Sequence, residues 1–278
     1  MSKLLIVLLL IFFSNSVTAQ EINALDALSR MERNINDLQE EFSMPDKYFL
    51  GRTVAAHIIG NYNIYTENPA LTEYLNLICR ALAINSMHPD WYDGYYVTIL
   101  DDYTLNAFST PGGHIFITRG LIEITTSEDM IAAIIAHELA HIQLQHGISE
   151  ITHDRLVNSL GQERDRIRQN LSNDRYTEFT DFIDKIADNL LNKGYSQTLE
   201  FEADNMAYSL LISTGYNPDS LIDLLRILDG LSINQRVSLN QSHPLPSQRI
   251  AVLQRQNVTH VMDNSSVRQD RFNRIMER

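Results

Sequence analysis

The sequence is short of cysteine, of basic residues and of long uncharged runs. Its single cysteine, Cys79, excludes an internal disulfide. The net charge of -13 at pH 7 argues against a nucleic-acid partner, and contact with an anionic membrane surface would have to overcome repulsion. The chain has no repeat of about 20 to 50 residues and no low-complexity tract, which excludes a repeat architecture.

The N-terminus has the composition of a secretory signal. Lys3 precedes ten apolar residues, 4–13, and small residues follow as far as Ala19. Cleavage after Ala19 would leave 259 of the 278 residues. No cysteine marks a lipid anchor, and no other segment reaches the roughly 20 apolar residues that span a bilayer. We therefore expect a periplasmic protein, or a secreted one, with no transmembrane segment in the mature chain and with peripheral membrane contact as an option.

One motif implies a reaction. The segment 137–141 reads His-Glu-Leu-Ala-His and follows the apolar run 130–136. Residues four apart share a helix face, so both histidines can bind one zinc ion while Glu138 reaches the metal-bound water as general base. Ser127 is predicted to cap this helix and Gly147 to end it. The alternative is a buried helix whose two histidines are hydrogen-bonded and hold no metal.

A third zinc ligand is needed for hydrolysis, together with an open position for water. The segment 198–204 opens a second predicted helix, on which Glu200 and Asp204 share a face and Glu202 points the other way. We therefore expect Glu200 to bind the metal and Asp204 to accept a hydrogen bond from a zinc-bound histidine. A solvated helix start favoured by the dipole is the alternative for these acids.

His243 is the third candidate for the site. Pro244 biases it to an extended conformation, and Pro246 is predicted to begin a final helix through Leu253. A rigidly held histidine can donate a hydrogen bond to a developing oxyanion or bind the zinc itself, and both roles stay open. A surface histidine is the alternative.

Short strands are predicted at 95–100 and 113–118. The sequence Pro-Gly-Gly at 111–113 forces a turn, after which 114–118 is predicted to be an edge strand that pairs with an extended peptide. An ordinary interior strand is the alternative. The candidate substrate-binding residues are Asn106, Gly112, Gly113, His114 and Ile115.

Helices dominate the rest of the chain. Apolar spacing predicts helices at 21–42 and 69–84. Residues 163–170 are predicted to be a solvated connection, with a lid as the alternative, and residues 182–191 a gate beside the cleft, with a plain connection as the alternative. The predicted fold is mainly α with a small β-sheet (α+β), a zincin-like arrangement of the His-Glu-x-x-His helix and a second, glutamate-bearing helix. The predicted organisation is a signal peptide at 1–19, one metallopeptidase domain at 20–255 and a C-terminal tail at 256–278.

At these motifs the chain resembles the gluzincin peptidases that include the HtpX-type and CAAX-prenyl-protease-type enzymes, most of all their periplasmic BepA-like branch. The resemblance runs in family order over residues 50–255. It rests on the segments 106–121, 137–141, 200–204, 215–218, 243–244 and 249–250.

The resemblance implies an endopeptidase with one zinc per chain. It places His137, His141 and Glu200 on the metal, Glu138 as general base and His243 near the metal. Many BepA-like proteins carry helical repeats after this point, and this chain has none, so partner binding through a repeat domain is not carried over. His114 also departs from the apolar or tyrosine residue common at that place.

The predicted function is zinc-dependent hydrolysis of exported proteins that are unfolded or misassembled in the cell envelope. The alternative is a chaperone-like quality-control factor that holds such proteins and has a structural or restrained zinc. The fourth metal position separates the two, because a site closed by four protein ligands is structural and an open one is catalytic.

Overall fold

The computed structural model describes residues 43–91, 93–149, 183–190, 194–231, 245–256 and 265–277. The helices are α1 (Met44–Asn61), α2 (Pro69–Ile84), α3 (Arg119–Glu123), α4 (Glu128–Gln143), α5 (Gln197–Thr214), α6 (Asp219–Gly230), α7 (Pro246–Leu253) and α8 (Ser265–Met276), with a 3-10 turn at Gln254–Gln256. The strands are β1 (Tyr96–Leu100), β2 (Ala107–Thr110) and β3 (His114–Thr118). The fold is mainly helical with one small sheet, as predicted.

The sheet has the strand order β1-β3-β2. β3 pairs in parallel with β1, where Val97 lies opposite Ile115, and antiparallel with β2, where Phe108 lies opposite Phe116. The prediction that residues 114–118 form an edge strand is therefore wrong, because β3 has a neighbour on each side. Within the described ranges the sheet edges are β1 and β2. β2 was not predicted, since four residues are too few to establish a period of two.

Helices cover both faces of the sheet. α2 and α4 pack on one face, in the core cluster that contains Ile99 and Ile117. On the other face, Phe116 packs with Val54 and Ile58 of α1 and with the short helical segment 183–190. The apolar face of that segment is buried in this layer, so core packing accounts for the periodicity that was interpreted as a gate.

The helix that carries the His-Glu-x-x-His motif is buried along its whole length. It is the helix α4, and the Ser127 side chain caps it by accepting a hydrogen bond from the Met130 backbone N–H at 3.2 Å, as predicted. The predicted end at Gly147 is wrong. α4 ends at Gln143, and Gln145 then takes a left-handed conformation with φ of 58°. The chain turns there and begins a further helical turn that contains Gly147.

The last helix packs across the start of α4. Glu128 and Asp129, in the first turn of α4, are both buried. Arg271 of α8 donates to Glu128 from two nitrogens, with Nε at 2.6 Å from Oε2. Arg268 of α8 pairs with Asp129 at 3.1 Å, and the Tyr74 hydroxyl donates to Glu128 at 2.7 Å. Residues in the segment expected to be a tail therefore neutralise two buried acids of α4.

Several sequence predictions lie outside the described residues, namely the signal peptide 1–19, the helix 21–42, the charged stretch 163–170 and His243. None of the helices in the described ranges has the length and apolarity needed to cross a membrane.

Candidate metal centre

The three predicted ligands come together between α4 and α5. His137 and His141 lie one turn apart on α4, and Glu200 lies in the first turn of α5. The His137 and His141 Nε2 atoms are 3.1 Å apart. Glu200 Oε2 lies 3.5 Å from His137 Nε2, and Glu200 Oε1 lies 3.4 Å from His141 Nε2. The three side chains form a buried candidate metal site.

The size and chemistry of this triangle fit zinc. A tetrahedral zinc with bonds of about 2.0 to 2.2 Å holds neighbouring nitrogen and oxygen ligands about 3.3 to 3.5 Å apart. The three measured separations span 3.1 to 3.5 Å. A hydrogen bond between the two imidazoles would leave the position of Glu200 unexplained, whereas one ion can take a ligand atom from each of the three residues, since these atoms lie within 4.8 Å of one another. Two imidazoles and one carboxylate also form a ligand set typical of catalytic zinc.

The pKa values of the two histidines are shifted in opposite directions. Burial lowers the pKa of His141 to about 3, so this imidazole is neutral at pH 7, the form that binds metals. Burial and Arg249 also lower the pKa of His137, but hydrogen bonds to Asp204 and Glu200 outweigh them and raise it to about 9. The negative charges that raise the pKa of His137 would also attract a metal cation to the space between His137 and Glu200.

Asp204 lies behind His137, where the sequence placed it. Its Oδ1 is 3.1 Å from His137 Nδ1. Although burial raises the pKa of Asp204, Arg249 and the bond to His137 lower it to about 2, so the carboxylate is ionised. An ionised Asp204 accepts the hydrogen on His137 Nδ1 and leaves Nε2 for the metal.

Arg249 is a site residue to which the sequence assigned no role. It donates to Asp204 from Nε and Nη2 at 2.8 and 2.6 Å, and its Nη1 lies 3.4 Å from Glu200 Oε2. Burial lowers the pKa of Arg249, but Asp204, Glu200 and Glu138 raise it above its usual range. One buried guanidinium thus offsets part of the negative charge of the acids around it. The signals in the sequence were its place six residues after His243 and its place in the segment 249–250 of the family resemblance.

Glu138, the predicted general base, is 2 % exposed. It follows His137 on α4, and its charge acts on Arg249 in the same pocket. The Ser109 hydroxyl of β2 donates to the Glu138 backbone carbonyl at 3.2 Å. This bond holds β2 alongside the segment of α4 that carries Glu138.

The candidate substrate-binding residues after β2 make structural contacts. Gly112 and Gly113 have φ of +105° and +94°, and a Cβ on Gly113 would lie 2.3 Å from the Gly94 carbonyl oxygen. The turn also packs against α1, where a Cβ on Gly51 would lie 1.0 Å from the Pro111 oxygen. The glycines therefore permit close backbone approach.

The other three candidate residues lie in or beside the sheet. Ile115 is fully buried in the central strand, and the half-buried His114 ring stacks beside Tyr96 at 6.0 Å. The Asn106 backbone N–H donates to the Thr118 hydroxyl at 3.0 Å.

A further histidine adjoins the site on the other side. His146 Nδ1 lies 2.9 Å from His141 Nδ1, and His146 Nε2 lies 3.4 Å from Glu202 Oε2. Tyr195 stacks on the His141 ring with centroids 4.1 Å apart. The sequence analysis placed Glu202 away from Glu200 and assigned it no partner, because a contact between α5 and the turn after α4 has no local signal.

The sequence profile of peptidase family M48 matches residues 69–257, which contain the two histidines and Glu200. The chain belongs to this family. All of α8 lies beyond the matched residues, and so does α1. The match therefore excludes α8, which pairs with the first turn of α4, and α1, which covers the second face of the sheet.

Curated relatives are similar over most of the chain. The mitochondrial metalloendopeptidase OMA1 of Schizosaccharomyces pombe is 24 % identical over 197 residues, 69 % of this chain and 54 % of the relative. Metalloprotease LoiP of Escherichia coli is 28 % identical over 191 residues, 66 % of this chain and 71 % of the relative. The beta-barrel assembly-enhancing protease of Yersinia pestis is 21 % identical over 225 residues, 77 % of this chain and 43 % of the relative.

The chain spans about half the length of the OMA1 relative and less of the beta-barrel assembly-enhancing one. Family membership and the names of these relatives support a metalloendopeptidase.

Proposed function

We propose that this protein is a zinc-dependent endopeptidase that acts on exported, unfolded or misassembled proteins of the cell envelope. The observation that carries the proposal is the buried triangle of His137, His141 and Glu200, with Glu138 beside it on α4. We further propose that the chain lies in the BepA-like branch of the family and reaches the periplasm through the signal at 1–19.

His137, His141 and Glu200 would hold the metal. A zinc ion held there would supply Lewis acidity and would lower the pKa of a bound water toward neutrality. Glu138 accepts the proton of the attacking water on its carboxylate and returns it to the leaving nitrogen. Asp204 keeps His137 in the required tautomer, while His243 either donates to the oxyanion or occupies the fourth ligand position at rest.

Because β3 is the central strand and β2 is an edge strand, we propose that an extended peptide pairs with β2. Thr118 N–H donates to the Asn106 carbonyl at 3.0 Å, which makes residues 106, 108 and 110 the hydrogen-bonded partners of β3. The backbone groups of Ala107 and Ser109 then point to the other side of the strand. Since Ser109 is bonded to α4 at Glu138, a peptide added to this edge would run beside the base.

Backbone pairing of this kind is tolerant of sequence and suits unfolded polypeptides. The acidic net charge of -13 gives no reason to expect a nucleic-acid partner. One relative is named a beta-barrel assembly-enhancing protease, and this name supports the proposal that the substrates are proteins of the cell envelope.

The test uses the mature chain from residue 20, assayed for zinc content and for hydrolysis of casein. We expect one zinc per chain, and we expect Glu138→Gln to keep the zinc while losing hydrolysis by about 10²-fold or more. Near-normal turnover of the variant would overturn the assignment of the base. Wild type that binds zinc, prevents aggregation and never cleaves would support the chaperone-like alternative. In cells, Glu138→Gln used as a trap should retain the exported proteins that wild type degrades.

A further inference from the structure

The His141 imidazole is contacted on the side away from the proposed metal. Its Nδ1 lies 2.9 Å from Nδ1 of His146, and the two residues are 1 % and 2 % exposed. His146 reaches this place because Gln145, with φ of 58°, turns the chain back on the end of α4. The contact therefore depends on the way the active-site helix ends.

Metal binding would fix every hydrogen along this contact. When His141 binds through Nε2, its Nδ1 carries the hydrogen and donates it. His146 Nδ1 must then be the acceptor, so the hydrogen of His146 lies on Nε2. That nitrogen is 3.4 Å from Glu202 Oε2, an ion-pair distance without hydrogen-bond geometry in this structure. The contact between His141 and His146 thus has one consistent donor and acceptor, and the Nε2–H of His146 lies beside the Glu202 carboxylate.

We propose that His146 is a positioning residue that holds the His141 imidazole in its metal-binding orientation, and that Glu202 supports His146. This proposal rests on the proposed zinc endopeptidase function. The acids of α5 then have separate partners: Glu200 faces the metal site, Asp204 supports His137 and Glu202 supports His146.

Packing restrains the same ring further. The Tyr195 ring lies against the face of His141, with an interplanar angle of 15° and a centroid distance of 4.1 Å. The face contact restrains the plane of the ring, but it permits a 180° flip about the Cβ–Cγ bond, which exchanges Nδ1 with Cδ2 and Nε2 with Cε1. The hydrogen bond to His146 opposes that flip, because the flip would carry Nδ1 of His141 away from Nδ1 of His146. Loss of the bond would leave a buried donor on His141 without an acceptor, which is unfavourable.

The experiment compares three replacements of His146. His146→Leu fills the space and removes the acceptor. His146→Gln keeps a polar group near the Nε2 position, and His146→Asn places an oxygen near the Nδ1 position. Each full mature variant is measured for zinc dissociation constant by chelator competition and for the visible absorption of its cobalt-substituted form. His57→Ala, on α1, is the control histidine.

We expect His146→Leu and His146→Gln to bind zinc about 10- to 100-fold more weakly and to shift the cobalt spectrum, the usual effect of losing a partner of a ligand. His146→Asn and His57→Ala should stay within a few-fold of wild type. Glu202→Gln, at a side chain that is 55 % exposed, should show a loss smaller than that of His146→Gln. If His146→Leu does not fold, the comparison of Gln with Asn decides.

Equal zinc affinity and equal cobalt spectra in wild type and His146→Gln would overturn the proposal, as would equal losses in the Gln and Asn variants. These readouts do not depend on hydrolysis. Wild type that binds zinc without cleaving casein would therefore reject the endopeptidase and leave the positioning role to be decided by affinity. Wild type that binds no zinc would reject both.

Discussion

Arg249 and Asp204 form a two-pronged ion pair in the interior, with Nε to Oδ2 at 2.8 Å and Nη2 to Oδ1 at 2.6 Å. The same Asp204 Oδ1 lies 3.1 Å from His137 Nδ1. α7, which carries Arg249, thus contacts the proposed metal centre through an acid of α5. The orientation of His137 therefore depends on the docking of α7.

Arg249→Leu should destabilise the metal-free protein by about 3 to 5 kcal/mol, because the buried Glu200 and Asp204 lose their guanidinium and Asp204 keeps only the His137 imidazole. Arg249→Lys keeps the charge but loses the fork, so an intermediate loss is expected. Urea unfolding measures both. Arg226→Leu, at an exposed pair with Asp223, is the control and should change stability by no more than about 1 kcal/mol. A loss at Arg249 no larger than that of the control would contradict the charge balance described here.

Glu200→Ala should abolish stoichiometric zinc binding, because it removes one of three ligands from a buried site. Glu202→Ala, two residues along the same helix, should retain one zinc per chain. Metal analysis after dialysis against metal-free buffer compares the two. Equal zinc content in both variants would show that Glu200 is the wrong ligand.

Arg271→Ala should lower the free energy of unfolding by about 1.5 to 3 kcal/mol, since Glu128 loses its charged donor and keeps the hydroxyls of Tyr74 and Tyr216. Arg274→Ala, on the same helix, loses a bond to the Asp270 backbone and should change it by less than about 0.5 kcal/mol. Chemical denaturation of both variants checks the difference. Equal effects would mean that α8 does not stabilise α4 through this pair.

His243→Ala separates the two roles proposed for that residue. If His243 donates to the oxyanion, the variant should keep zinc and lose about 10²- to 10³-fold in rate. If it occupies the fourth ligand position at rest, casein hydrolysis or self-cleavage should rise. Pro244 and Pro246 stiffen the segment and favour the first role. Activity and zinc content measured on the same samples decide, and no change in either would reject both roles.

The sequence by itself determined what depends on short spacing and side-chain chemistry. The four-residue interval between His137 and His141 sets two imidazoles on one helix face, and Ser127 caps that helix as predicted. The pairing of Glu200 with Asp204 likewise singled out the acid that lies beside the histidines. Helical periodicity and helix capping involve residues within one or two turns of each other, so the sequence predicts them without knowledge of the fold.

Only the tertiary structure decided which segments meet. Strand order made β3 central and β2 the edge beside α4, although both sequences are apolar enough for either place. Packing also brought Arg249 to Asp204, His146 to Glu202 and Arg271 to Glu128. These three pairs join residues that are 45 to 143 positions apart in the sequence. Their energy comes from burial and charge pairing between separate elements, and no local pattern in the sequence specifies that contact.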